Sequence, residues 1–83
     1  MYKIVTPRYF SMKQNLATAK CQAILMIHAA RDKNVSEADQ RADIYEVDNK
    51  TFEKKLASKL FVKHQAIFIT DADEHVIKTI KIL

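Results

Sequence analysis

Lys50-Thr51-Phe52-Glu53-Lys54-Lys55-Leu56-Ala57-Ser58-Lys59-Leu60-Phe61-Val62 sets Phe52, Leu56 and Leu60 four residues apart. Side chains at that interval lie on one face of an α-helix. Lys50, Lys54, Lys55 and Lys59 take the other sides, and Asp48 or Asn49 stands where an N-cap is needed. The spacing therefore predicts a helix over 50–62. Its lysines, with Lys63 after it, form a basic face that could follow a phosphate backbone. The same pattern is also the ordinary solvated side of an amphipathic helix.

Working outward, 42–47 reads as a strand centred on Ile44-Tyr45, and 65–70 as a strand built on Ile67-Phe68-Ile69. Asp71-Ala72-Asp73-Glu74 is a turn signal, and 75–83 is the last strand, so the chain is expected to end in a β-hairpin. At the other end, 2–6 is a short strand that Pro7 terminates. Ser11 with Gln14 makes a capping-box pattern, and a long helix should run from there to about 33. Leu16, Ala19, Ala23, Ile27 and Ala30 share one face of it. The run Ala23-Ile24-Leu25-Met26-Ile27 is apolar all round, which predicts a well-buried second half. Asn34 can end the helix in the left-handed conformation. The acidic segment 35–41 has room for one helical turn at most. The resulting order is β-α-β-α-β-β. It implies an α/β fold: a small two-layer domain, residues 1–83, with two helices on a four-stranded mixed sheet. The strand–helix–strand units would pair in parallel.

The chain contains no glycine, where an average composition would give about six. That removes the Gly-rich phosphate loop, the G-x-G-x-x-G dinucleotide turn and the G-x-S-x-G nucleophile elbow. Every turn must be made by residues that resist positive φ. The single cysteine, Cys21, allows no internal disulfide. The N-terminus lacks the apolar core of a signal peptide, and the longest fully apolar run, 23–27, is far too short to cross a bilayer. A soluble, cytoplasmic protein is expected. The net charge is +4, unevenly spread: residues 1–31 hold five bases and no acid, residues 32–48 six acids and two bases.

The layout resembles the thioredoxin-like fold, and the small glutaredoxins in particular. Ile44-Tyr45-Glu46-Val47-Asp48 before a charged helix is similar to that family's second strand and helix. Gln65-Ala66-Ile67-Phe68-Ile69-Thr70-Asp71 is similar to its third strand, and Glu74-His75-Val76-Ile77 to its fourth. The family's C-x-x-C would fall within 6–12, which holds no cysteine. Its proline before the third strand is replaced by His64-Gln65-Ala66, and its Gly-Gly by Lys78-Thr79. The resemblance thus implies a scaffold without dithiol chemistry or glutathione binding, and leaves Cys21 as the one residue through which a thiol role could persist.

Among candidate sites, Cys21 falls in mid-helix, where a small core residue is the ordinary role. Asp71, Asp73, Glu74 and His75 bunch in the last turn but lack the further oxygen ligands a cation needs. His28, His64 and His75 show no zinc spacing, and no metal or other cofactor is expected. No nucleophile–base pair is evident, so the chain is expected to be non-enzymatic. The loop Pro7-Arg8-Tyr9-Phe10 should join the first strand to the first helix, with Phe10 stapling the helix start and Arg8 and Tyr9 outward. Arg and Tyr are enriched at binding hot spots. Arg8 and Tyr9 are accordingly the expected partner-binding residues of a small module acting by protein–protein contact. An accessory or inhibitory role, of the kind found in phages and mobile elements, is the expectation. The alternative is nucleic-acid binding through Lys50, Lys54, Lys55, Lys59 and Lys63. Self-association through the edge of the last strand is also open.

Overall fold

The computed structural model describes residues 1–82. In chain order it comprises β1 (Tyr2–Val5), β2 (Phe10–Lys13), α1 (Leu16–Asp32), a single 3-10 turn (Glu37–Asp39), β3 (Arg41–Val47), β4 (Lys54–Lys63), β5 (Ala66–Thr70) and β6 (Val76–Lys81). The six strands form one sheet in the order β2-β1-β3-β4-β5-β6, and every neighbouring pair is antiparallel. The expected four-stranded mixed sheet with two helices is therefore corrected to six antiparallel strands and one helix. The strands expected near 2–6, 42–47, 65–70 and 75–83 are all present, as β1, β3, β5 and β6. The antiparallel hairpin at the end of the chain is present too. Leu83 lies outside the described residues.

The largest correction is at 50–62, which is a turn followed by β4. Leu56 and Leu60 satisfy a helical interval, but Ser58, Leu60 and Val62 satisfy a strand interval and are the buried side chains. The serine disguises the alternation. It tolerates burial because its Oγ donates to the Thr70 carbonyl at 2.7 Å. The second expected helix does not exist; α1 covers one face of the sheet and the other is bare.

The second correction is at 10–13. Phe10-Ser11-Met12-Lys13 pairs with β1 as strand β2, with Ser11 opposite Ile4. The working N-cap is Asn15, whose Oδ1 accepts from the Thr18 N–H at 2.8 Å. At the other helix end Asn34 has φ 59°, as expected. Asn34 N–H reaches the Arg31 carbonyl and Val35 N–H the Ala30 carbonyl, each at 3.0 Å, a Schellman closure.

Both β2 and β3 are antiparallel to the β1 that separates them, so they run in the same direction. The helix α1 links them across β1 and packs on β1, β2, β3 and β4. Ala19, Ala23, Met26 and Ile27 meet Ile4, Ala42, Ile44, Leu60, Ile67 and Ile69 from the sheet. The alanines let the helix approach closely. Burial of each of Ile4, Ile27, Ile44, Leu60 and Ile67 contributes about 1.5–3 kcal/mol. The apolar run of α1 is only partly inside: Leu25 is 62% exposed. Cys21 is exposed as well, so its expected place in the core is corrected. No helix among the described residues is long and apolar enough to cross a membrane.

Without glycine, positive φ falls to Asn34, Phe52, His64, Gln65 and Glu74. His64 and Gln65 together make the two-residue turn between β4 and β5 with φ 51° and 59°. That is the position where Asn-Gly is the usual choice.

Candidate nucleic-acid interface

Cross-strand partners in an antiparallel sheet present their side chains on the same face. The registers therefore arrange the bare face in rows. One row is Lys63, Ala66 and Lys81. The next is Arg41, Phe61, Phe68 and Thr79. Then come Phe10, Val5, Asp43 and Lys59, followed by Met12, Lys3, Tyr45 and Leu56. Val47 and Lys54 close the series. Near its centre Phe61 and Phe68 stack, ring centroids 5.4 Å apart and planes 15° from parallel. Lys54 Nζ lies 4.8 Å over the Tyr45 ring, and Lys3 Nζ 4.7 Å over Phe10.

These rows hold six cations (Lys3, Arg41, Lys54, Lys59, Lys63 and Lys81) against the one carboxylate Asp43, a net of five positive charges. The whole chain nets +4, so everything outside the rows nets −1. Glu74, outside the rows but paired with Lys59 at 2.9 Å, brings a second carboxylate to this face and leaves it a net of four positive charges. A groove beside Phe61 is bordered by Arg41, Asp43, Lys59, Thr70, Glu74 and Val76.

The five lysines expected along a helix are divided by this geometry. Lys54, Lys59 and Lys63 lie on the bare face, while Lys55 sits opposite Glu46 on the helix side. Lys50 belongs to the turn before β4, where its N–H donates to Asp48 Oδ1 at 2.7 Å. Thr51 N–H donates to the same oxygen, and together these donors hold the Asp48 carboxyl below its ordinary pKa. Lys59 Nζ bonds Glu74 Oε1 at 2.9 Å, and this raises the lysine's pKa. Phe61, Phe68, Tyr45, Lys3, Arg41 and Lys81 were not among the sequence-derived site residues. Their signal is the alternation Lys59-Phe61-Lys63, which is meaningful only on a strand.

Arg8 and Tyr9 are outward, as expected, but on a hairpin turn between β1 and β2 and not on a loop into the helix. Thr6 fixes that turn. Its Oγ1 accepts from Tyr9 N–H at 3.1 Å and donates to the Tyr9 carbonyl at 2.8 Å. Tyr9 is 52% and Phe10 63% exposed, so Phe10 does not staple the helix start. The turn instead borders a small pocket against the C-terminal half of α1.

In the last turn, Asp71 Oδ1 accepts from the N–H groups of His75 and Asp73, both at 2.9 Å. Those donors, His75 first, lower the Asp71 pKa. This carboxylate is engaged with its own turn. No group of three or more potential metal ligands forms among the described residues.

None of the known protein families, curated proteins or solved structures matches this chain. Any functional reading therefore stands on the residues of the face itself.

Proposed function

We propose that the protein is a non-enzymatic binding module that holds a single-stranded nucleic acid on the bare face of its sheet. The observation that carries this reading is the stacked Phe61–Phe68 pair set between lysine-bearing rows. Aromatic faces accept unpaired bases of any sequence, and the surrounding cations attract phosphates. A duplex cannot offer its base faces to this surface. An acidic protein would use the charge but not the aromatic centre.

The test is fluorescence anisotropy with labelled single strands of DNA and RNA, about 12 nucleotides long, within the site sizes of single-strand binders. Affinity should fall steeply between about 50 and 200 mM salt. Exchanging Lys63 and Lys81 for Gln removes two phosphate contacts and should flatten the logarithmic salt slope by about 1.4. Phe68→Ala should cost about 1–3 kcal/mol of binding, with circular dichroism confirming the fold. Absence of binding at low salt refutes the reading.

A second reading, protein–protein contact through Arg8 and Tyr9, is favoured by the exposure of Tyr9 on a rigid turn. It requires that Arg8→Ala with Tyr9→Ala abolish capture of a protein from the native host. Lys63→Gln with Lys81→Gln should leave that capture intact.

A further inference from the structure

Arg8, Lys33 and Arg41 come from three separate parts of the chain and border one pocket. Arg8 is on the β1–β2 turn, Lys33 is the C-cap residue of α1, and Arg41 begins β3. Among the described residues the one carboxylate lining the pocket is Asp39, 3.5 Å from the Arg41 guanidinium. Neither Arg8 nor Lys33 takes part in an ion pair among the described residues. Met26 and Ile27 form an apolar floor, and Tyr9 stands at the rim.

Each cation has a different support. The Thr6 hydroxyl accepts from the Arg8 N–H at 3.3 Å and ties the turn to Tyr9. Arg41 Nη1 donates to the Ala38 carbonyl at 2.9 Å and lies 3.5 Å from Asp39 Oδ1, which ties its guanidinium to the 3-10 turn beside the pocket. The Schellman closure at Asn34 fixes the chain next to Lys33. Arg41 also borders the groove on the bare face, so the pocket opens at the end of that surface.

Three cations and a single carboxylate bordering one small pocket leave a net positive charge that suits a small dianion. We infer that this pocket binds a phosphate monoester, the terminal phosphate of the strand that lies on the sheet. Naming the strand as the source rests on the proposed single-strand platform; the affinity for a phosphate monoester does not. A monoester carries close to two negative charges at neutral pH and three acceptor oxygens. Two guanidinium groups and an ammonium can each donate to a separate oxygen.

Two measurements separate the pocket from the platform. The first titrates the protein with adenosine 5′-monophosphate and, separately, with adenosine, following backbone amides by NMR. The monophosphate should shift the amides of Arg8, Tyr9, Lys33 and Arg41, and adenosine should not. No shift at about 10 mM, where a millimolar site would be filled, overturns the inference, as does an equal shift with adenosine. The second compares 5′-phosphorylated, 3′-phosphorylated and unphosphorylated strands of one sequence by anisotropy. A strand phosphorylated at one end should bind about tenfold tighter than the unphosphorylated one. Arg8→Gln with Lys33→Gln should abolish that difference and leave affinity for the unphosphorylated strand unchanged. Equal affinity for all three strands overturns the strand terminus as the source. If no strand binds, the platform reading fails, and the monophosphate titration alone decides the pocket.

Discussion

Replacing Ser58 by alanine tests how β4 and β5 are joined where their ladder ends. Their paired register stops at Leu60 opposite Ile69, just before the irregularity at Ile69/Thr70. Two side-chain bonds carry the union further: Ser58 Oγ to the Thr70 carbonyl at 2.7 Å, and Lys59 N–H to Thr70 Oγ1 at 2.9 Å. Ser58 is fully buried and Thr70 nearly so. Ser58→Ala removes a donor and leaves the Thr70 carbonyl acceptor without it in a place water does not reach. A buried acceptor deprived of its donor costs about 1–3 kcal/mol. In a chain of this size each kcal/mol lowers the melting temperature by about 4–8 °C. Urea unfolding followed by circular dichroism, with a thermal melt alongside, gives both numbers. Thr79→Ala on exposed β6 serves as the control and should stay within about 0.5 kcal/mol. If Ser58→Ala is also within about 0.5 kcal/mol of the parent, the hydroxyl does not hold the sheet together there. The account of why a serine occupies an inward position of β4 then fails.

The assignment of the helix start is tested by Asn15→Ala, which should cost about 1 kcal/mol. Ser11→Ala, in β2, should change stability by no more than about 0.5 kcal/mol; the reverse order would restore the earlier helix start. Acid should weaken the fold through Asp71 and Asp48, whose carboxyl pKa values are lowered by backbone N–H donors. A lowered folded-state pKa adds stability that is present above the unfolded value, about 3.9, and is lost as pH falls through the folded one. The urea midpoint should therefore drop on acidification below about pH 4, and Asp71→Asn should reduce that drop. An unchanged acid slope in Asp71→Asn would show that its turn bonds do not favour the ionised form.

Four of the six strands are legible because β-branched residues mark them: Ile4-Val5, Ile44, Ile67-Ile69 and Val76-Ile77. The helix middle is legible from its alanine-lined apolar face. β2 is not, because Ser11 and Gln14 imitate a capping box while the true cap, Asn15, stands four residues on. β4 is hidden because Leu56 and Leu60 fit both periods, and because Ser58 interrupts the alternation with a polar residue. The turn after it gives no help, since His64-Gln65 is not a recognisable hairpin signal. The site shares this history. The basic character of Lys54, Lys59 and Lys63 is visible in the sequence, but Phe61 joins them only once the segment is a strand. Lys3, Arg41 and Lys81 are far apart in sequence, and only the order of strands in the sheet assembles them.

The His64-Gln65 turn also bears on how the chain folds. Two adjacent non-glycine residues in the left-handed region disfavour the hairpin before its strands meet, since each pays a steric cost of about 1–2 kcal/mol. Closure of β4 on β5 then waits for distant partners: Leu60 with Ile69, Val62 with Ile67, and the β3 and α1 side chains that cover them. The hairpin is therefore expected to form late in folding, with its turn contributing little to the transition state. Substituting Asn for His64 and Gly for Gln65 should then slow unfolding and leave the refolding rate nearly unchanged. A faster refolding arm in the chevron would place this hairpin in the nucleus instead.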